Sequence, residues 1–210
     1  MSCPNFLVIM TDQQRADHLG CYGNAIVKTP HIDGLAANGT RFDKFYVANP
    51  ICQPNRAALA TGQLTSVNGS RQNGIPLGLD CTTYADVLRA AGYRTGLVGK
   101  AHFQNVSPVP AKPPMARGQG DSPPDPFTVA RRSQRRGPDY EHEIRKTWID
   151  DPAHEVPRPY YGFDYLRLCI GHGDQVEGHY SAWLRDRLGD APDPRGRAAS
   201  LGNDPDAPQV

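Results

Sequence analysis

Three small groups of polar residues stand directly after apolar runs, and their types suit chemistry on an anion. In "ICQPNRAALATGQ", Cys52 and Arg56 flank Pro54 at the start of a short helical stretch. A helix start leaves backbone N–H groups free, and these favour negative charge. Asp12 and Gln13 follow "NFLVIM", and Lys100 and His102 follow "RTGLVG". In open α/β sheets, sites form in the crevice outside the carboxyl ends of strands. Taken singly, each group has an ordinary reading: an aspartate capping a turn, a Lys-x-His in a loop, a cysteine buried among small residues. The joint occurrence of all three at strand ends is what points to a site.

The elements that must position these residues are legible over 1–103. "NFLVIM" is a continuous apolar run, as expected for a strand covered on both faces. "TPHIDGLAANG" reads as a helix with Pro30 in its first turn and Gly39 just past its end. "TRFDKFYV" alternates and predicts a strand, and "PNRAALATG" a helix from Pro54 to a stop at Gly62. "TTYADVLRAAGY" predicts a helix capped by Thr82 or Thr83, with an apolar stripe of Tyr84, Val87, Leu88 and Ala91 and a stop at Gly92. "RTGLVG" predicts another buried strand. The order indicates an α/β fold, a layered and mostly parallel sheet flanked by helices.

Residues 104–160 differ. They are rich in proline and arginine and predict an irregular excursion. Its cluster of Arg131, Arg132, Arg135 and Arg136 reads as a solvated face, since Glu141 and Glu143 follow and no aromatics are interleaved. Order returns at 160–188, with a strand in "YYGFDYLRLCIG" and a helix in "GHYSAWLRDRL". His172 and His179 form a further histidine patch there. Residues 189–210 are Pro/Gly/Asp-rich and predict a flexible tail.

Composition excludes several classes. The 210 residues carry a formal net charge of +1, which gives no general pull toward nucleic acid or an acidic membrane. No apolar run approaches the roughly 18 residues that span a bilayer. The start lacks the basic and small-residue features of a signal peptide. The five cysteines, Cys3, Cys21, Cys52, Cys81 and Cys169, are scattered and lack CxxC spacing. That argues against a disulfide framework or zinc site and for a reducing, cytoplasmic setting.

Several spaced motifs together resemble the sulfatase family, within the alkaline-phosphatase-like superfamily. "CQPNRAALATG" resembles its C-x-P-x-R signature with the following T-G pair. "NFLVIMTDQQRADHLGCYGN" resembles its opening strand and metal-binding turn, and "TPHIDGLAANGTRFDKFYVANPIC" the connecting segment. "AGYRTGLVGKAHF" resembles the second signature, and "YYGFD" the G-F-D element. The resemblance covers nearly all of 1–103 and resumes at 160–188.

The resemblance implies a sulfuric ester hydrolase. Cys52 would be converted to formylglycine by a maturation enzyme that reads C-x-P-x-R, which accounts for Pro54 and Arg56. A hydrated aldehyde offers one hydroxyl as nucleophile and a second that expels the anion. By the same resemblance Arg56 would hold the hydrate, Lys100 would neutralise an ester oxygen, and His102 would bond the hydrate or the transferred group. Asp12, Gln13 and residue 52 would ligate a divalent cation, Ca²⁺ first and Mn²⁺ or Mg²⁺ as alternatives. Gln13 departs from the commoner second aspartate, and Asp-Gln also occurs in relatives acting on choline sulfate and phosphonate monoesters. The substrate is expected to be a small sulfate ester.

Two alternatives stand beside this reading: a phosphonate monoesterase or phosphodiesterase on the same scaffold, and an inactive remnant that binds an anion or a partner. The resemblance also implies further metal ligands, a histidine and a second lysine downstream, with no counterpart after residue 188. The chain therefore reads as the N-terminal part of such an enzyme. An incomplete sheet would leave an open edge and uncovered apolar surface.

Overall fold

The computed structural model describes residues 3–108 and 135–195. They fall into two compact units that divide between Val47 and Ala48. Arg131, Arg132 and residues 196–210 of the expected tail lie outside the described residues.

The first unit is built around α1 (Pro30–Asn38) and two short 3-10 turns, Ala16–His18 and Gly20–Tyr22. Pro30 opens α1, where a missing N–H costs nothing, and Gly39 follows its end, as expected. Asp33 ties the helix to the turns. Its Oδ1 accepts the Cys21 N–H (2.6 Å) and the Thr29 hydroxyl (2.9 Å), and Thr29 Oγ1 accepts the Gly20 N–H (2.8 Å). A Cβ on Gly20 would lie 2.3 Å from Asp33 Oδ2, so glycine admits the carboxylate.

Two strand expectations fail in this unit. Residues 5–10 and 40–47 form no strand, and the run Phe6–Met10 is 41–85% exposed. An apolar run states only what surface a strand would bury. The strand itself needs a ladder partner for its N–H and C=O groups, and no strand among the described residues pairs with either stretch.

The second unit holds α2 (Cys52–Thr61), α3 (Thr65–Asn68), α4 (Tyr84–Ala90), β1 (Gly96–Gly99), α5 (Arg145–Asp150), β2 (Tyr165–Ile170), β3 (Glu177–Gly178) and α6 (His179–Leu188). Its sheet runs β1-β2-β3. β1 and β2 are parallel, with Gly96 opposite Tyr165 and Gly99 opposite Leu168. β2 and β3 are antiparallel. The segment expected to be irregular thus contributes a 3-10 turn at Pro138–Tyr140 and α5.

β2 alternates as a half-covered strand should: Leu166, Leu168 and Ile170 are buried, while Tyr165 and Arg167 face out. Each buried aliphatic contributes about 1.5–3 kcal/mol over leaving it in water. They pack with Ala57, Leu77, Ala85, Phe103 and Trp148 in one cluster. α4 starts at a capping box in which Thr83 and Asp86 exchange hydrogen bonds. Its expected apolar stripe is not the covered face. Tyr84 and Val87 are exposed, and the small Ala85 is the residue that packs inward.

Close packing at the G-F-D element explains its glycine. Gly162 has φ +83°, and a Cβ there would sit 2.4 Å from the Asp86 nitrogen. The turn is then fastened by Thr95, whose hydroxyl donates to the Gly162 carbonyl (2.7 Å) and accepts the Asp164 N–H (3.1 Å). Two stretches far apart in sequence are joined at this point.

Candidate active site

The expected residues divide between the units. Asp12 and Gln13 lie in the first, exposed and outside any regular element, with Gln13 at φ +55°. Cys52, Arg56, Lys100 and His102 lie in the second.

α2 begins two residues before the expected start, with Cys52 as its first helical residue. Pro54 then falls within the first turn, where its missing N–H has no intrahelical acceptor to lose. Gly62 closes the helix in the left-handed region, and its N–H bonds the Ala58 carbonyl at 2.8 Å. Ile51 gives no side-chain cap. Asn73 acts instead: its Oδ1 accepts the Gln53 N–H at 3.2 Å. The Cys52 sulfur lies 3.6 Å from that same oxygen, placed for the thiol to donate, and 3.5 Å from Asn73 Nδ2. An electron-rich atom on residue 52 would therefore meet an amide donor.

Gln53 is fully buried and joins the helix start to two loops. Its Oε1 accepts the Gly74 N–H (2.8 Å), and its Nε2 donates to the Ile75 carbonyl (3.2 Å) and to Asn105 Oδ1 (3.4 Å). Arg56 stands one turn after Cys52 on the same face of α2. Its Nη1 donates to the Lys100 carbonyl at 2.5 Å, fixing the helix against the end of β1. Lys100 Nζ lies 2.5 Å from His172 Nε2. An ammonium only donates, so this Nε2 accepts and the His172 proton sits on Nδ1.

His102 is buried and has φ +52°, a conformation uncommon outside glycine. Its backbone N–H donates to Glu143, as do those of Phe103 and Gln104. Burial pushes the Glu143 carboxyl above its ordinary value, opposed by hydrogen bonds from Tyr160 and these three amides. All four neighbours present donors, so the group that fits is the carboxylate.

The two histidines of the 172–179 patch part company. His172 meets Lys100, whereas His179 packs at a tilt against Trp148 with ring centroids 4.9 Å apart. His179 Nδ1 accepts the Leu168 N–H at 3.1 Å. Burial, then Arg167, Arg158 and His154, lower its pKa to about 4, so the ring is neutral with its proton on Nε2. It borders a cavity of about 490 Å³ lined also by Trp148, His154 and Arg158, apart from Cys52 and Lys100. Arg135 of the basic cluster bonds the Pro76 carbonyl (3.3 Å) and pairs with Asp80 (3.8 Å), so it serves packing.

A hard divalent cation takes six or more oxygen donors. Asp12 and Gln13 offer a carboxylate and an amide, and no group of three His, Cys, Asp or Glu side chains gathers among the described residues. The described residues thus do not complete a shell.

A family model described as Sulfatase matches residues 4–124, more than half of the chain. The chain belongs to the sulfatase family. Among curated sulfatases, it is 36% identical over 125 residues to "Uncharacterized sulfatase YidJ" of Escherichia coli, covering 60% of this chain and 24% of that protein. It is 42% identical over 123 residues to arylsulfatase A of Homo sapiens, covering 55% and 24%. Among solved structures, the phosphonate monoester hydrolase of Agrobacterium radiobacter aligns over 87% of this chain and 29% of its own, with a TM-score of 0.53 and 28% identity. This sulfatase-family chain therefore spans about a quarter of the length of these relatives.

The contacts that spacing alone did not announce are Asn73 beside Cys52, His172 beside Lys100, and Glu143 beneath His102. Asn73 lies in "RQNGIP", where a turn was the only available signal. Glu143 was visible merely as one acid in a charged segment.

Proposed function

We propose that the protein hydrolyses sulfuric esters, with residue 52 as the nucleophile after its conversion from cysteine to formylglycine. The observation that carries this reading is the junction of α2 with the end of β1, where Arg56 bonds the Lys100 carbonyl and Cys52 begins the same helix. One hydroxyl of hydrated formylglycine attacks sulfur and gives up its proton as the alcohol is expelled; the second then loses its proton, the C–O bond to sulfate breaks, and the aldehyde is regenerated. Arg56, one turn away, holds the hydrate by charge-assisted hydrogen bonds. Asn73 Nδ2, 3.5 Å from the Cys52 sulfur, offers the hydrate a further donor. Lys100 neutralises charge on an ester oxygen as the S–O bond breaks, with its ammonium steered by His172. His102 bonds the transferred group. Asp12 and Gln13 are the residues of this chain that would donate oxygens to a divalent cation, with the rest of the shell coming from elsewhere. The maturation enzyme that reads C-x-P-x-R is the partner this reading requires.

Phosphonate monoester hydrolysis is the second reading, favoured by the alignment to the Agrobacterium enzyme over most of the chain. Paired assays with 4-nitrophenyl sulfate and 4-nitrophenyl phenylphosphonate on the matured full chain separate the two. The proposal expects faster sulfate release, abolished by Cys52→Ala. Preference for the phosphonate ester would shift the assignment to the second reading, and turnover unaffected by Cys52→Ala would defeat both.

A further inference from the structure

The loop after β1 carries two expected site residues, and one buried carboxylate holds it. Glu143 is 1% exposed. Its Oε2 accepts the N–H of His102, and its Oε1 accepts those of Phe103 (2.9 Å) and Gln104 (3.1 Å). The Tyr160 hydroxyl donates to the same Oε1 at 2.6 Å. Three consecutive amides thus converge on one side chain from about forty residues further along. Their convergence forms an anion-binding concavity filled from within the chain.

Further bonds stitch the same two segments. Gln104 Nε2 donates to the Asp139 carbonyl (2.8 Å), and Gln104 Oε1 accepts the His142 N–H (3.0 Å). The Leu77 N–H meets the Phe103 carbonyl at 2.7 Å. The positive φ of His102 sets the direction of its ring, and such a conformation persists only where surroundings over-determine it. Backbone carbonyls would satisfy three amides without burying a charge. A buried carboxylate is a costly substitute unless its stiffness and exact reach matter to the loop.

We propose that Glu143 is a positioning residue, whose carboxylate sets the backbone of 102–104 and so aims His102 and Lys100 at the transferred group. This rests on the sulfatase reading above. Phe103 contributes by packing edge-on against Tyr161, with centroids 5.1 Å apart, so that the clamp and the core share one anchor.

The test compares the full chain with its Glu143→Gln and Tyr160→Phe variants. Glu143→Gln keeps shape but sets an amide N–H against one of the four donors. Amide hydrogen exchange should rise at least ~10-fold at His102, with Leu166 and Leu168 unchanged, since the opening is local. The NMR chemical shifts of the His102 ring should move. On 4-nitrophenyl sulfate, kcat should fall on the order of 10–100-fold with KM within about 3-fold, the pattern of misdirected groups. Tyr160→Phe removes one of four bonds, leaves the charge, and should show a weaker form of each change. Unchanged exchange at 102–104 overturns the proposal, and so does acceleration that spreads equally to Leu168, which marks a general loss of stability. A wild-type chain that turns over no sulfate ester sinks the sulfatase reading alone, and exchange together with the His102 ring shifts then decides the clamp.

Discussion

Two apolar runs, each followed by polar residues, meet different fates in this chain. "RTGLVG" becomes β1, pairs with β2, and hands Lys100 and His102 to a loop held by Glu143. "NFLVIM" finds no ladder partner among the described residues, stays exposed, and leaves Asp12 and Gln13 in an exposed stretch. "NFLVIM" is the more apolar of the two, and β1 is not the buried strand expected, since its Val98 is 77% exposed. The difference lies in a neighbour supplied about seventy residues later, with its own alternating face. A strand end positions chemistry only after the sheet has been completed around it.

The sharpest way to break this contrast is at the glycines that admit close neighbours. Gly162→Ala would drive a Cβ into the Asp86 backbone at 2.4 Å at a left-handed φ. It should lower the stability of the second unit by more than about 4 kcal/mol, read by urea denaturation. Gly20→Ala in the first unit meets the Asp33 carboxylate rather than backbone, and displacing its bonds to Cys21 and Thr29 should cost about 1–3 kcal/mol. Equal losses would show that the two units are equally packed.

Core truncation comes next in size. Leu168→Ala removes a fully buried side chain from the face of β2 and should cost about 2–5 kcal/mol. Leu7→Ala removes one that is already in water, and should stay within about 0.5 kcal/mol in the same assay. A large effect at Leu7 would mean that the run is covered in the working protein.

A smaller effect than core truncation is a pH dependence in the second unit. His179 is held neutral, with a folded pKa of about 4 against an ordinary 6.5. Below pH 6.5 the unfolded chain takes up a proton there that the folded chain refuses. Stability therefore falls as pH drops from about 6.5 toward 4. Because the ring is only partly buried, the loss should be on the order of 1 kcal/mol. His179→Asn, whose side-chain oxygen can still accept the Leu168 N–H, should flatten that slope in thermal melts between pH 7 and 4.5. An unaltered slope would assign it to other groups.

Much of the local structure was legible because it is locally determined. The Pro30 and Gly39 limits of α1, the Gly62 stop of α2 and the Thr83 cap of α4 each depend on residues a few positions apart. The strand at 165–170 lies within "YYGFDYLRLCIG", where a strand was expected. What escaped was set by distant partners. Whether Phe6–Met10 joins a sheet depends on another strand, and the inward face of α4 depends on the turn at Gly162. Residue types and spacing singled out Cys52, Arg56, Lys100 and His102. They could not reveal Asn73, His172 or Glu143, which reach those residues across 21, 72 and 41 positions.

The most direct test of the central claim is the mass of the tryptic peptide 45–56 after coexpression with a formylglycine-generating enzyme. Conversion of Cys52 replaces CH₂SH by CHO and lowers that mass by about 18 Da. A peptide that keeps the mass of an unmodified cysteine, under conditions that convert a control C-x-P-x-R substrate, would contradict the assignment of residue 52 as the nucleophile.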